Sequence, residues 1–148
     1  MIVDLVRNDL SVTAKKGTVN VNDLCSVYTF SHVHQMISTV SSELDEKNDF
    51  VDAIATTFPM GSMTGAPKIK AMEIIDKLEK SQRKMYAGAI GYFSANKNFD
   101  TCIALRTALI KNKKFYIQSG AGIVADSVPE KEYLETVNKA KALINSLN

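Results

Sequence analysis

The chain has 148 residues, 45% of them hydrophobic and 23% charged, with a formal charge of +2; that suits one domain, or a substantial piece of a larger one, with enough apolar content for a packed core. Acids and bases are interspersed, no basic arm or stripe is visible and Trp is absent, which argues against nucleic-acid and membrane-surface roles and leaves a smaller substrate. No apolar run is long enough to span a bilayer, and Asp4, Arg7 and Asp9 speak against a signal peptide, so a cytoplasmic protein is expected, with Cys25 and Cys102 as buried thiols and a disulfide between them left open.

MIVDLVRNDL carries apolar residues at 2, 3, 5, 6 and 10 and reads as the last turns of an amphipathic helix that began earlier. A polar link ends at Gly17. TVNVNDL and SVYTFSHVHQMISTVSSEL, rich in Val, Thr, Tyr and Phe with stretches of alternation, predict two or three antiparallel strands. Helical spacing of Phe50, Ile54, Ala55 and Phe58 predicts a helix from Asp49 that stops at Pro59. MGSMTGAPK, residues 60–68, is a small-residue loop with Pro67 placed to open the next helix, IKAMEIIDKLEK, whose Ile69, Met72, Ile75 and Leu78 are expected to face inward. Ser62 and Thr64 either offer hydroxyls and amides to an anion or act as caps. MYAGAIGYFSA, DTCIALRTALI and KFYIQSGAGIVA are three β-rich runs joined by NKNF and KNKK, which suggests a meander. Arg106 falls in the apolar run IALRT, where a guanidinium needs an anion, either a structural carboxylate or a substrate's. Tyr92 either fills the inner face of the sheet or offers its hydroxyl to the same ligand.

The last stretch, SGAGIVADSVPEKEYLETVNK, combines a glycine-interrupted run with a helix bearing carboxylates. At Gly120 and Gly122 a backbone without Cβ can approach a ligand and aim its N–H groups at a carboxylate. Ser127 and Glu130 have capping-box spacing, so a helix is expected from about Ser127. On it Leu134, Val137, Ala140, Ile144 and Leu147 form an apolar stripe, while Glu132, Glu135 and Lys139 share a separate polar one. That polar stripe is either a solvated face with an ordinary Glu135–Lys139 pair or a site for Mg²⁺, which takes one or two protein carboxylates and leaves its other positions to water and substrate. The order of elements argues for an α+β fold with mostly antiparallel sheet and flanking helices. The unaided residues fit a small dianionic metabolite bound with Mg²⁺ but name no reaction, since no nucleophile with a paired base is evident and His32 and His34 have no triad partner.

Six blocks in order, MIVDLVRNDL, VHQMISTV, FPMGSMTGAPKIKAMEIIDKLE, GAIGYF, DTCIALRT and SGAGIVADSVPEKEYLETVNKA, resemble the C-terminal part of the chorismate-utilising enzymes, and within them most nearly the aminodeoxychorismate (para-aminobenzoate) synthase branch of folate biosynthesis. The resemblance implies that residues 1–148 are the C-terminal portion of a layered chorismate-binding domain. In it chorismate binds near Mg²⁺ and ammonia from a glutamine amidotransferase subunit replaces a ring hydroxyl. Carried over by motif, Glu132 and Glu135 would hold Mg²⁺, and Lys139 would support the ring carboxylate and metal. Tyr92 and Arg106 would hold the pyruvyl carboxylate, Gly120 and Gly122 would bind carboxylate through their amides, and Ser62 to Thr64 would line the pocket. Gln35 stands where anthranilate synthases carry a histidine that assists pyruvate loss, which fits amination without elimination. Alanine in SGAGIVADS, where the aminodeoxychorismate branch usually has a third glycine, points instead to anthranilate synthase, the alternative. The PIKGT block and the opposing metal carboxylates of the family would lie upstream of MIVDL, so this chain alone is expected to turn over little. The class of reading opposed to an enzyme is a non-catalytic module that self-associates into a homo-oligomer.

Overall fold

Short apolar runs punctuated by positive-φ turns produce two-stranded ribbons here, and the helices pack beside them. The computed structural model describes residues 1–31 and 34–145; His32 and Leu147 lie outside the described residues. The chain divides into two compact units, Met1–Lys80 and Ser81–Asn148.

In the first unit the order is α1 (Ile2–Ser11), β1 (Asn20–Thr29), β2 (His34–Ser41), α2 (Phe50–Thr57), α3 (Gly61–Thr64) and α4 (Lys68–Leu78). β1 and β2 pair antiparallel, with Val27 opposite Met36 and Tyr28 opposite Gln35. The register shifts between Asp23 and Ser26, where Cys25 has φ +57°, so an extra residue is accommodated as a bulge. At that bulge the Asp23 carboxylate accepts from the Ser26 hydroxyl and, at 2.9 Å, from the Tyr28 hydroxyl. Asp49 caps α2 in a reciprocal capping box with Asp52. α4 starts at Lys68 with Pro67 as its N-cap, one residue later than the spacing predicts.

Asp9 organises the turn that follows α2. It lies on α1 one helical turn after Leu5, on the half-buried side, and its Oδ2 accepts from the Gly61 N–H at 2.8 Å while its Oδ1 meets Lys68 Nζ at 2.5 Å. Side-chain exposures of 27% for Lys68 and 13% for Asp9 leave this ion pair much less solvated than the surface pair of Lys15 with Glu43. A Cβ at Gly61 would sit 3.3 Å from both Asp9 Oδ2 and Leu5 Cβ, so the close approach favours glycine there. The predicted loop Ser62–Thr64 is therefore a short helix, with the Thr64 hydroxyl donating to the Met60 carbonyl.

The second unit contains β3 (Ala89–Phe93), β4 (Phe99–Ile103), β5 (Ala108–Lys111), β6 (Lys114–Ile117) and α5 (Pro129–Asn145). β3 pairs with β4 and β5 with β6, both antiparallel, as two separate two-stranded sheets rather than a meander. NKNF and KNKK do form the hairpin links; Asn112 and Lys113 both have positive φ, as a two-residue hairpin turn with the right twist requires. The run DTCIALRTALI breaks after Ile103, because Ala104 turns inward, donating to Gly88 O at 2.8 Å and accepting from Ala87 N–H at 3.1 Å. Arg106, with φ +50°, lies in the resulting bend and not in a strand. α5 starts at Pro129; the Ser127 hydroxyl accepts from the Val124 N–H instead of closing a capping box.

The expected packed core is absent among the described residues: Ala104 is the one buried hydrophobic residue. Ile69, Met72 and Leu78 of α4 and Leu134 and Ile144 of α5 are exposed, while Ile75, Val137 and Ala140 are half-buried. A ribbon of two short strands has too little area to bury either face, and its neighbours within the unit leave most of it open. Both cysteines are free and exposed, not buried.

Replacing Asp9 with Ala should remove the acceptor of the Gly61 N–H and the counter-charge of Lys68, lowering stability by about 1–3 kcal/mol in urea unfolding followed by circular dichroism. The Ser26 hydroxyl first, then that of Tyr28, hold the Asp23 carboxyl below the usual carboxylate range. Its contribution to stability is therefore complete above the carboxyl's unfolded value and is lost as the pH falls through the lower, folded one. A carboxyl-carbon NMR titration should show that lowered midpoint, and Ser26→Ala should raise it.

Candidate functional site

The C-terminal helix and the glycine run before it meet as the sequence pattern suggests. The Ser119 hydroxyl donates to the Thr136 carbonyl of α5 at 2.9 Å, anchoring the loop to the helix one residue before Gly120. Lys139, one turn further on, donates its ammonium to the Gly120 carbonyl at 3.3 Å and pairs with Glu135 Oε1 at 2.5 Å. Its charge is thus shared between a main-chain dipole and a carboxylate, with the i, i+4 spacing that orients both side chains on one helix face.

Tyr86, which the sequence reading passes over, completes this clasp from the other side. A Cβ built on Gly120 would lie 2.8 Å from the Tyr86 hydroxyl oxygen, so the tyrosine tip occupies the space that a side chain at 120 would need. The signal was a phenol in the otherwise small-residue run Ala87–Gly88–Ala89, a position that invites a polar contact. Gly120 is held between Tyr86 and Lys139. Gly122 is different: it is exposed, with nothing within 4 Å of a Cβ at that position.

Glu132 and Glu135 lie three residues apart on α5, Glu132 half-buried and Glu135 exposed. Glu135 has one oxygen committed to Lys139. Among the described residues no group of three or more His, Cys, Asp or Glu is gathered for a metal ion. This donor set suits a hard cation that takes two carboxylates and fills its shell with water and substrate oxygens; it does not suit a closed structural metal site.

The other predicted site residues are not drawn into this cluster. Tyr92 is 61% exposed on β3, opposite Asp100. Arg106 is exposed in its bend and has no ion-pair partner among the described residues. Gln35, Ser62 and Thr64 belong to the first unit; Gln35 is exposed on β2, and its neighbour His34 engages the Thr29 hydroxyl at 3.0 Å. An open cavity of about 1030 Å³ in the second unit is lined by Tyr86, Arg83, Lys111 and Tyr116 among others, but not by Glu132, Glu135 or Arg106.

An α+β chain that offers a glycine loop braced by a cation, next to two carboxylates on one helix, can bind an anion and a divalent cation side by side. The chain belongs to the chorismate binding enzyme family, whose match covers residues 1–145. It is 50% identical over 147 residues to anthranilate synthase component 1 of Aquifex aeolicus, which is 99% of this chain and 30% of that protein. Its structure is similar to the solved anthranilate synthase component I from Streptococcus pneumoniae, with a TM-score of 0.87 and 45% identity over 95% of this chain and 32% of the other. It is also similar to a putative 2,3-dihydroxybenzoate-specific isochorismate synthase from Bacillus anthracis, with a TM-score of 0.84 and 26% identity over 99% of this chain and 39% of the other. The chain therefore spans about a third of the length of its relatives.

These relatives correct the expected branch. Half identity to anthranilate synthase component 1 over nearly the whole chain overturns the assignment to aminodeoxychorismate synthase and folate biosynthesis. The block MTGAPKIKAMEIID, with Gln35 in accord, pointed towards that branch, and one block with one substitution is outweighed by agreement across the chain. Among the described residues no helix is long and apolar enough to cross a membrane.

Gly120→Ala should push the Tyr86 ring aside and destabilise the second unit by about 1–2 kcal/mol. Adding Tyr86→Phe should recover part of that loss, because the next tyrosine atom lies 3.6 Å from the new Cβ, an ordinary contact. A double-mutant cycle by urea unfolding measures the recovery.

Proposed function

We propose that the chain forms the chorismate-binding portion of an enzyme of the anthranilate synthase component I type, which aminates chorismate and releases pyruvate to give anthranilate. The observation that carries this reading is the half identity to such an enzyme from Aquifex aeolicus over 147 residues. The Gly120–Lys139–Glu135 contacts support it, because they put a cation and free backbone next to carboxylates.

In this reading Glu132 and Glu135 would hold Mg²⁺, which when bound would supply Lewis acidity beside the substrate's anionic groups. Lys139 holds the loop through Gly120 and adds positive potential for a carboxylate. The amides around Gly120 and Gly122 donate to that carboxylate. Arg106 and Tyr92 would grip the pyruvyl end. Ammonia comes from a glutamine amidotransferase subunit. Gln35 is the departure from type: an amide neither gains nor loses a proton near neutral pH, so it can orient by hydrogen bonds but cannot serve as the acid or base in pyruvate loss.

The test is a chimera in which this chain replaces the matching segment of the Aquifex relative, assayed with chorismate, Mg²⁺ and ammonium. Anthranilate and pyruvate should appear together, and Glu132→Gln or Glu135→Gln should remove the Mg²⁺ dependence along with most activity. Gln35→His should speed pyruvate release by roughly 10²-fold if a proton transfer is restored there. A chimera that consumes no chorismate, or whose product keeps its pyruvyl group both with Gln35 in place and after the Gln35→His substitution, rejects the reading.

A further inference from the structure

The cavity of about 1030 Å³ in the second unit carries charge of one sign and is not lined by the carboxylates of α5. One wall is a face of the β5–β6 ribbon. Leu109 and Lys111 are two residues apart on β5 and so share that face, which Tyr116, the cross-strand partner of Leu109, extends. Another wall is the link of residues 81–86. There the Tyr86 N–H donates to the Arg83 carbonyl at 2.9 Å and the Gly88 N–H to the Met85 carbonyl at 3.0 Å, while Lys84 has φ +51°. The link therefore curls through two consecutive turns, and Arg83, Lys84 and Met85 all come to line the cavity.

Among the described residues no Asp or Glu lines this cavity, so nothing in its walls balances the cations. Lys84 and Lys111 also have no ion-pair partner elsewhere among the described residues. Cations gathered from two separate segments, with no acid between them, raise a local positive potential that an anion relieves. The remaining lining gives that anion a shape. Met85, Leu109 and Tyr116 are exposed large apolar or aromatic side chains, and a flat ring covers such surface better than an aliphatic chain does. The volume is at the upper end of the range for small-molecule sites, about 300–1000 Å³.

We propose that this cavity is a second anion site, separate from the Glu132–Glu135 carboxylates, that binds a small aromatic anion: a flat ring bearing a carboxylate or a phosphate. Lys84 and Lys111 hold the anionic group, and Leu109 and Tyr116 cover the ring. Binding there uses no divalent cation, because the polar groups it depends on are ammonium ions and not carboxylates. The site does not rest on the anthranilate reading. Tyr86 is the wall it shares with the glycine clasp, since that residue lines the cavity while its hydroxyl is turned towards Gly120.

The experiment titrates the full chain, followed by amide NMR without Mg²⁺, with benzoate, phenyl phosphate, benzamide and inorganic phosphate. Benzoate or phenyl phosphate should move the signals of Lys84, Lys111 and Tyr116 to saturation, and the tighter of the two identifies the anionic group. Benzamide lacks the charge and inorganic phosphate the ring, so each should bind about tenfold more weakly than its aromatic counterpart. Lys84→Gln and Lys111→Gln, at exposed positions, should leave the circular dichroism unchanged and each weaken binding by about tenfold. Four results overturn the proposal: no saturable movement of these signals, movement confined to Gly120 and Lys139, benzamide or inorganic phosphate binding as tightly as the aromatic anions, or folded glutamine variants that bind as well as the parent.

Discussion

A two-stranded ribbon has no interior, and that constraint governs this molecule. Each strand of β3–β6 is four or five residues long, so a pair offers a face of a few side chains, and among the described residues none of the three ribbons gains a third strand. Apolar burial, ordinarily the dominant favourable contribution, is thereby limited to contacts within each ribbon, between helices, and of α1 with β2. What holds the units locally is polar and directional. Asp9 joins α1 to the starts of α3 and α4, Thr13 O accepts from Asp45 N–H and the Asn48 amide, and Ser119 ties the glycine loop to α5.

Directional contacts set geometry well even where they add little stability. At Gly61 and Gly120 an added Cβ would meet a polar side-chain oxygen, that of Asp9 in one unit and of Tyr86 in the other. In both cases the glycine answers to a neighbour distant in sequence, not to a turn of its own. That is why two small-residue loops, which look alike in sequence, are fixed by different partners.

Much of the architecture was legible in residue patterns: all the long helices, the hairpin links, the antiparallel class and the Glu135–Lys139 pair follow from period and spacing. Tertiary facts were not. Arg106 reads as a strand residue because Ile103, Ala104 and Leu105 are apolar, yet the main-chain contacts of Ala104 with Ala87 and Gly88 end the strand first. The stripe of α4 has the right period for burial, yet among the described residues Ile69, Met72 and Leu78 stay exposed and Ile75 is half-buried, since periodicity reports which face wants cover and not whether cover is present. The role of Asp9 could not be read from its helix, because its partners lie more than fifty residues away. Tyr86 has no periodic signal to mark it, only a phenol beside the small residues Ala87, Gly88 and Ala89.

The Glu135–Lys139 pair shows how the proposed metal role and the present contacts fit together. Its side chains are 51% and 33% exposed, so water screens the attraction and the pair contributes about 0.3–0.5 kcal/mol. A contact that weak can rearrange at small cost. A divalent cation approaching Glu132 and Glu135 would repel the Lys139 ammonium, and the ammonium has a second acceptor in the Gly120 carbonyl to which it can turn. The same lysine would link the two halves of the site: the carboxylates that suit a metal and the main chain that suits an anion.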